Sequence, residues 1–392
     1  MMKALHFGAG NIGKGLIGYL LNKSGFDLCF VDVNEESVNQ MNSSNQYALE
    51  LLDDDHTVES ISPVCALHSS KQDQVVDAIV EADLITTSVG ADNLSKVAPV
   101  ISKGLLKRIQ FDKGHVDVIA NENMINASST LKEEIRRNVS TSEMDAIQST
   151  VGFPNSAIDR LSLSEKRNEG EITLVEPYYE WMIEKQGILN SDLPSIKNAT
   201  YVDSLKPYIE RKLYIVNMGH AATAYTAFLE GYPTIQSALK NPEIEKFLRE
   251  TMNESARYFT HHYGFKAEEM SEFIEETIGR FKNANISDDI LRVGRSPIRK
   301  LGFDERLVKP TRVLFELGLP VERLTAAVAT AFFFHNPNDK ESVTIQSYIR
   351  EQGIEQAIAH FTGIEEKTLK TKIKDHYDRL RKNHSLTPIN ER

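Results

Sequence analysis

The sequence predicts an α/β protein, with an N-terminal Rossmann-type, mostly parallel sheet followed by a mainly α-helical C-terminal domain. Three observations predict it. A strand, glycine turn, helix and second strand open the chain; strand and helix patterns alternate to about residue 190; and from Lys206 onward the apolar spacing is helical nearly throughout. At 392 residues the chain exceeds one ordinary core, so two domains are expected, 1–195 and 196–392. The boundary is placed in the proline-containing loop around Asp192-Leu193-Pro194-Ser195.

Residues 2–7 (MKALHF) read as a short apolar strand. It runs into Gly8-Ala9-Gly10-Asn11-Ile12-Gly13, a G-x-G-x-x-G, and then into helical spacing at Leu16, Ile17, Leu20 and Leu21. Gly8 permits the tight turn, Gly10 lets backbone approach a pyrophosphate, and Gly13 lets helix and strand pack closely. The helix N-terminus offers unpaired N–H groups and a positive dipole end to phosphates. A second apolar run, 27–33, carries Asp32 near its end, 19 residues beyond Gly13. That is where an acid binds the adenosine ribose hydroxyls and repels a 2′-phosphate, which favours NAD over NADP. A bare G-x-G-x-x-G is weak, but strand, helix, second strand and acid here fall in their expected places.

Residues 35–41 are amphipathic, and 47–52 with 58–67 read as an antiparallel hairpin. A helical pattern at 73–82 leads into the apolar run 83–90. That run reads as a buried parallel strand ending in Gly90, where the cofactor crevice of such sheets lies. Strand candidates follow at 116–120, which leads to Asn121-Glu122-Asn123-Met124, then at 151–158 and 171–175. One mostly parallel sheet is expected. In the second half, helices are expected around 221–229, 244–259, 270–281, 325–334, 341–353 and 365–382. Breaks are placed at Gly231-Tyr232-Pro233, Pro310 and Gly318-Leu319-Pro320, and the polar residues 383–392 are expected to fray.

Composition narrows the partners. Hydrophobic content of 41%, charged content of 26% and a net charge of −11 without a basic block argue against nucleic acid or an anionic membrane. An anionic small molecule needs only a local cationic cluster and stays open. No apolar run approaches ~20 residues and the chain enters its first strand directly, so a cytoplasmic monomer or small homo-oligomer is expected. Cys29 and Cys65 read as small buried hydrophobes, and no metal-ligand spacing occurs. His6 reads as a packed strand residue, His261, His262 and His335 lack partners at ligand spacing, and Trp181 reads as packing where two domains meet.

A Rossmann half joined to a helical half implies a redox enzyme. Its sharpest candidate chemistry is Lys212-x4-Asn217-x2-His220. On an α-helix at ~100° per residue, Asn217 and His220 share a face and Lys212 lies about 80° from His220. The plain alternative is an amphipathic helix with an exposed lysine and a hydrogen-bonded core histidine.

The chain resembles the polyol-specific long-chain dehydrogenases over essentially its whole length. The likeness is carried by residues 3–13, Glu122-Asn123-Met124, Ser156-Ala157-Ile158-Asp159-Arg160 and the Lys212/Asn217/His220 helix. Arg292-Val293-Gly294-Arg295, Arg299-Lys300-Leu301 and residues 304–310 extend it. Lys14 and Asn121 depart from the Arg and Cys of many relatives, and both flank the implied chemistry. The resemblance implies a zinc-independent, NAD-dependent enzyme interconverting a polyol phosphate, mannitol 1-phosphate, and fructose 6-phosphate. It implies Lys212 as general base, Asn217 and Asn123 as amide donors to the forming alkoxide, and His220 on the substrate hydroxyls or orienting Lys212. A base at neutral pH requires the ordinary lysine pKa of about 10.4 to be lowered by burial and nearby positive charge. A sugar phosphate also needs a cationic seat. Among the cations of 292–309, Arg295 and Lys309 are the choices, each near a Gly or Pro able to bend a helix end. The alternatives are a dehydrogenase of another polyol, of arabitol phosphate or of a hexuronate, and a dinucleotide sensor without turnover.

Overall fold

The computed structural model describes residues 2–167 and 170–383; the tail expected to fray lies, beyond Asn383, outside the described residues. Two compact units divide the chain, Met1–Leu205 and Lys206–Arg392. Residues 196–205, expected to begin the second domain, lie in the first unit, where Ile196 is buried in the core.

The first unit contains β1 (Lys3–Phe7), β2 (Asp27–Asp32), β3 (Tyr47–Leu51), β4 (Val58–Ile61), β5 (Val64–His68), β6 (Leu84–Thr87) and β7 (Val116–Ala120). After these come β8 (Val151–Gly152), β9 (Ser156–Asp159), β10 (Ser162–Arg167), β11 (Gly170–Val175), β12 (Glu180–Glu184) and β13 (Thr200–Val202). Its main sheet is six-stranded and wholly parallel, in the order β5-β2-β1-β6-β7-β8. The central strands are apolar on both faces because both are covered. Leu28 and Phe30 of β2 face a core built with Leu16, Ile17 and Leu20 of the first helix. Leu5, Ile85 and Val118 face the opposite core, with Val75, Ile101 and Leu131 from the helices Gln72–Glu81, Leu94–Gln110 and Ala127–Arg136.

The single expected sheet is in fact three, and prolines account for two of the divisions. The run 58–67 splits at Ser62-Pro63: β4 forms the expected hairpin with β3, while β5 leaves to pair in parallel with β2. The run 151–158 splits around Pro154, β8 ending the main sheet and β9 pairing antiparallel with β12. Proline has no N–H to continue a ladder. The segment 171–175 belongs to the four-stranded sheet β10-β11-β3-β4 rather than to the main one.

Two packing expectations are corrected. Cys29 and Cys65 sit opposite one another on β2 and β5 and are joined as a disulfide. Cys29 is half-buried and Cys65 exposed, because β5 is the edge strand. Trp181 is 1% exposed, inside the first unit's own core near Leu28 and Phe30.

The second unit is helical. Its longer helices are Met218–Leu229, Pro242–His262, Ala267–Lys282, Val308–Glu316, Glu322–Ala331, Lys340–Gln352, Ile354–Thr362 and Lys367–Asn383. Pro310 does not break the chain as expected. It is the third residue of Val308–Glu316, where no N–H is required. Gly318, at φ +69°, follows that helix end. Among the described residues no helix is long and apolar enough to cross a membrane.

Candidate active site

In the first unit β1 delivers the chain to Gly8, whose φ of +101° suits glycine, and a Cβ there would stand 2.6 Å from the Ser88 carbonyl oxygen. A Cβ on Gly13 would overlap the Gly8 carbonyl oxygen, so helix and turn touch only because that atom is missing. The helix then winds as a π-helix over Gly13–Gly18 and tightens to α over Tyr19–Lys23. Nothing lies within 4 Å of the Cβ position of Gly10, which leaves the loop open to a ligand. Asn11 is held from β10: its carbonyl accepts the Ser162 hydroxyl at 2.7 Å and its side-chain oxygen that of Ser164. Ala9 is buried and Ile12 packs against the same core.

Asp32 closes this loop from β2. Its Oδ2 accepts the Ala9 N–H at 2.6 Å and its Oδ1 the Asn34 N–H at 2.8 Å. With Gly8, Gly10, Val31, Ser88 and Val89 it lines a cleft of about 710 Å³. The carboxylate, the open glycine and the helix start fit a dinucleotide. His6 lies beneath, fully buried, its Nδ1 2.6 Å from Thr86 Oγ1 and its Nε2 2.8 Å from Ser88 Oγ. Burial pulls its pKa down to about 3, against a smaller opposing effect of the Gly8 backbone, so the ring is neutral.

Glu122, named in the sequence only as part of the Glu122-Asn123-Met124 likeness, organises the far side of the cleft. It is 5% exposed, and its Oε1 accepts the Thr87 hydroxyl at 2.8 Å and the Val89 N–H at 3.0 Å. Its Oε2 accepts the N–H of Gly90 at 2.7 Å. Gly90 has φ +89° and is thereby fixed at the strand end. Asn121 is likewise held, its Oδ1 accepting the Ser156 hydroxyl at 2.7 Å, while Asn123 is exposed on the same loop. Arg160, of the Ser156–Asp159 strand end, supports the loop from behind. It donates to the Gly15 carbonyl at 2.6 Å and the Glu176 carbonyl at 3.0 Å, its guanidinium between the rings of Tyr19 and Tyr179.

In the second unit Lys212–Asn217 is a π-helix that passes directly into the α-helix Met218–Leu229. This changes the geometry expected for the three candidates. In a continuous α-helix, five residues at ~100° each would leave Lys212 and Asn217 about 140° apart. With i→i+5 bonding, Asn217 stands nearly one turn above Lys212, and His220 follows on the same side. Burial agrees: Lys212, Asn217 and His220 are half-exposed, while Tyr214, Ile215, Val216, Met218 and Gly219 are buried. Lysine, amide and imidazole therefore leave one helix face together, away from its unit's core.

His220 is anchored by a residue the sequence did not reveal. Its Nε2 lies 3.0 Å from Asp288 Oδ2, and its ring stacks on Phe281 at 4.8 Å. Asp288 Oδ1 in turn takes the Arg292 guanidinium. Burial raises the Asp288 pKa, but the His220 hydrogen bond and the charges of His220 and Arg292 outweigh it and hold the carboxyl below its usual range. Asp288 sits in a loop without periodicity, so nothing in the sequence ties it to His220.

The cations of 292–309 do not form one group. Lys309 is paired with Asp304 at 3.3 Å, and Arg306 with Glu305 at 3.1 Å. Arg295 instead lines a pocket of about 320 Å³ with Arg292, Ser296, Asn336, Asn338 and Lys340. Lys300 is buried against the Val293 carbonyl. Burial first, then the charges of Arg306, Arg299 and Arg295, bring its pKa down to about 7. Elsewhere the histidines are plain: His261 and His262 are exposed, and His262 stacks on Tyr258. Among the described residues no group of three His, Cys, Asp or Glu side chains is placed to hold a metal.

A dinucleotide-type cleft in one unit and a lysine–amide–imidazole face in the other define the class, a two-domain dehydrogenase. The chain belongs to the mannitol dehydrogenase family: the model of its Rossmann domain matches residues 2–197 and that of its C-terminal domain residues 204–387. It is a polyol dehydrogenase. Among its relatives, the mannitol-1-phosphate 5-dehydrogenase of Bacillus licheniformis is 42% identical over 366 residues, covering 93% of this chain and 96% of the relative. The enzyme of the same name from Geobacillus stearothermophilus is 38% identical over 383 residues, covering 97% and 100%. Two solved structures share the fold. A D-sorbitol dehydrogenase in substrate-free form has a TM-score of 0.82 at 13% identity, covering 98% of this chain and 94% of that one. A mannitol 2-dehydrogenase from Pseudomonas fluorescens, in ternary complex with NAD and D-mannitol, has a TM-score of 0.62 at 16% identity, covering 98% and 92%.

Proposed function

We propose that this chain is an NAD-dependent oxidoreductase interconverting D-mannitol 1-phosphate and D-fructose 6-phosphate, with the first unit binding NAD and the second binding substrate. What carries this reading is the shared face of Lys212, Asn217 and His220, which the π-turn creates and Asp288 braces. Relatives named mannitol-1-phosphate 5-dehydrogenase, about 40% identical across nearly the whole chain, support the choice of substrate.

NAD, when bound, accepts or returns the hydride. Gly8 to Gly13 would hold its pyrophosphate, with Ala9, Asn11 and Ile12 in the turn; Asp32 would hold the adenosine ribose and Gly90 would border the crevice. Lys212 takes the hydroxyl proton during oxidation and supplies it during reduction, which dispenses with a metal. Asn217 donates an amide N–H to the developing alkoxide, and Asn123 is the second amide donor that the resemblance implies. His220, fixed by Asp288, positions the substrate hydroxyl and Lys212. An initial-rate panel tests the reading: NADH consumption with fructose 6-phosphate, fructose and pentulose phosphates. Fructose 6-phosphate should give the highest kcat/KM, and a clear preference for any other ketose refutes the assignment.

A further inference from the structure

The pocket lined by Arg292, Arg295, Ser296, Asn336, Asn338 and Lys340 has a charge that its surroundings do not explain. The chain carries a net −11, and four cations of 292–312 are matched by acids. Arg292 is paired with Asp288, Arg306 with Glu305, Lys309 with Asp304, and Arg312 with Asp304 and Glu316. Among the described residues, Arg295 and Lys340 make no such pair. The one carboxylate in the lining, Asp339, is already engaged by backbone: its Oδ2 accepts the Ser296 N–H at 2.8 Å and its Oδ1 the Glu341 N–H at 3.1 Å. It thereby fixes the turn at Ser296 and caps the helix Lys340–Gln352, and it is one carboxylate against three cations of the lining. Behind the wall sits Lys300, whose pKa is lowered first by burial and then by the charges of Arg306, Arg299 and Arg295, against an opposing effect of Asp339. An anion in the pocket relieves that excess of cations.

The pocket also adjoins the proposed chemistry. Arg292, on its wall, shares Asp288 with His220, so a single carboxylate separates the imidazole from the cationic lining. A polyol phosphate has its reacting carbinol and its phosphoryl group at opposite ends of one short chain.

We infer that this pocket seats the substrate's phosphoryl group, a phosphate monoester gripped by the Arg295 fork and by Lys340, with the Asn336 and Asn338 amides at its rim. The inference rests on the polyol-phosphate reading and selects Arg295 over Lys309, which is held by Asp304. A guanidinium fork on a phosphate dianion contributes charge-assisted hydrogen bonds that a neutral side chain cannot replace. Arg295 is exposed, so its replacement leaves the core untouched.

The test is reduction by NADH of fructose 6-phosphate and of fructose, for the wild type, Arg295→Gln and Lys309→Gln, with inorganic phosphate titrated into each protein by ³¹P line broadening. Arg295→Gln should raise KM for fructose 6-phosphate roughly 10- to 100-fold and lower the ratio of kcat/KM for phosphate ester over free sugar by a similar factor. Lys309→Gln should move that ratio by less than about threefold. Inorganic phosphate should compete with fructose 6-phosphate in the wild type and bind Arg295→Gln more weakly. An unchanged ratio in Arg295→Gln overturns the seat while leaving the proposed function standing. So does phosphate that binds both proteins alike, or that inhibits without competing, which marks a separate effector site. A wild type that reduces only unphosphorylated ketoses overturns the proposed function, and the seat with it.

Discussion

Lowering the pH from 7 to 5 should destabilise the first unit by about 2 kcal/mol through His6 alone. Burial holds the folded imidazole near pKa 3, against 6.5 in the unfolded chain. Between those values the unfolded chain binds a proton that the folded chain refuses, so stability falls as pH drops below 6.5 and goes on falling to about pH 3. At roughly 1.4 kcal/mol per pKa unit the full effect is about 5 kcal/mol, and the 1.5 units between 6.5 and pH 5 give about 2 kcal/mol. Protonation would also disturb the turn above. The neutral ring bridges Thr86 and Ser88, and Ser88 abuts Gly8. The assay is urea unfolding followed by the fluorescence of Trp181, the chain's single tryptophan, buried in the same unit. Wild type and His6→Gln are compared at pH 7 and pH 5, so that carboxylates titrating in both cancel. His6→Gln should be less stable at pH 7, yet lose about 2 kcal/mol less on going to pH 5. Equal losses in the two proteins would refute the reasoning.

Three further outcomes follow from the two sites. Asp32→Ala removes the acceptor of the Ala9 and Asn34 N–H groups together with the charge proposed to hold the ribose. KM for NADH should rise about tenfold or more and discrimination against NADPH should narrow, as steady-state kinetics with both cofactors will report. Lys212→Ala should lower kcat by about 10²- to 10⁴-fold while NADH affinity, read by fluorescence titration, stays close to wild type. Retention of wild-type turnover would move the base elsewhere, with His220 next in line. Asp288→Asn leaves the shape but removes the charge that orients His220, so kcat should fall at least about tenfold and the pH–rate profile should shift, with KM for NADH unmoved. A loss confined to thermal stability would reduce Asp288 to a structural role.

Local chemistry made the nucleotide half legible. Gly8, Gly13 and Asp32 each impose a steric or electrostatic condition within a short stretch of chain, and the contacts around them follow from that condition. The sheet count was less legible, because an apolar run reads the same whether it continues or changes sheet. Only the missing N–H of Pro63 and Pro154 marks where β4 and β9 part from their neighbours. Edge position hid the cysteines, since spacing says nothing of which strand lies outermost. In the helical half, Lys212, Asn217 and His220 stood out by residue type, but their angular relation was drawn for an α-helix that is not there. Asp288 escaped notice and Glu122 was given no role of its own, because each is defined by what it touches across long stretches of sequence.

The π-turn at Lys212–Asn217 amounts to one residue more than a regular helix needs. Removing a single buried residue such as Ile215 would let the segment relax to an ordinary α-helix of almost the same length and composition. Lys212 would then stand four residues before Asn217 and seven before His220, about 40° and about 20° round the axis, so the three groups would keep their common face. What would separate them is the opposite change, the same six residues rewound as regular α-helix, which turns Lys212 about 140° from Asn217 with every member still in place. Loss of one apolar residue from this segment should therefore be better tolerated than the same loss from a regular helix such as Pro242–His262.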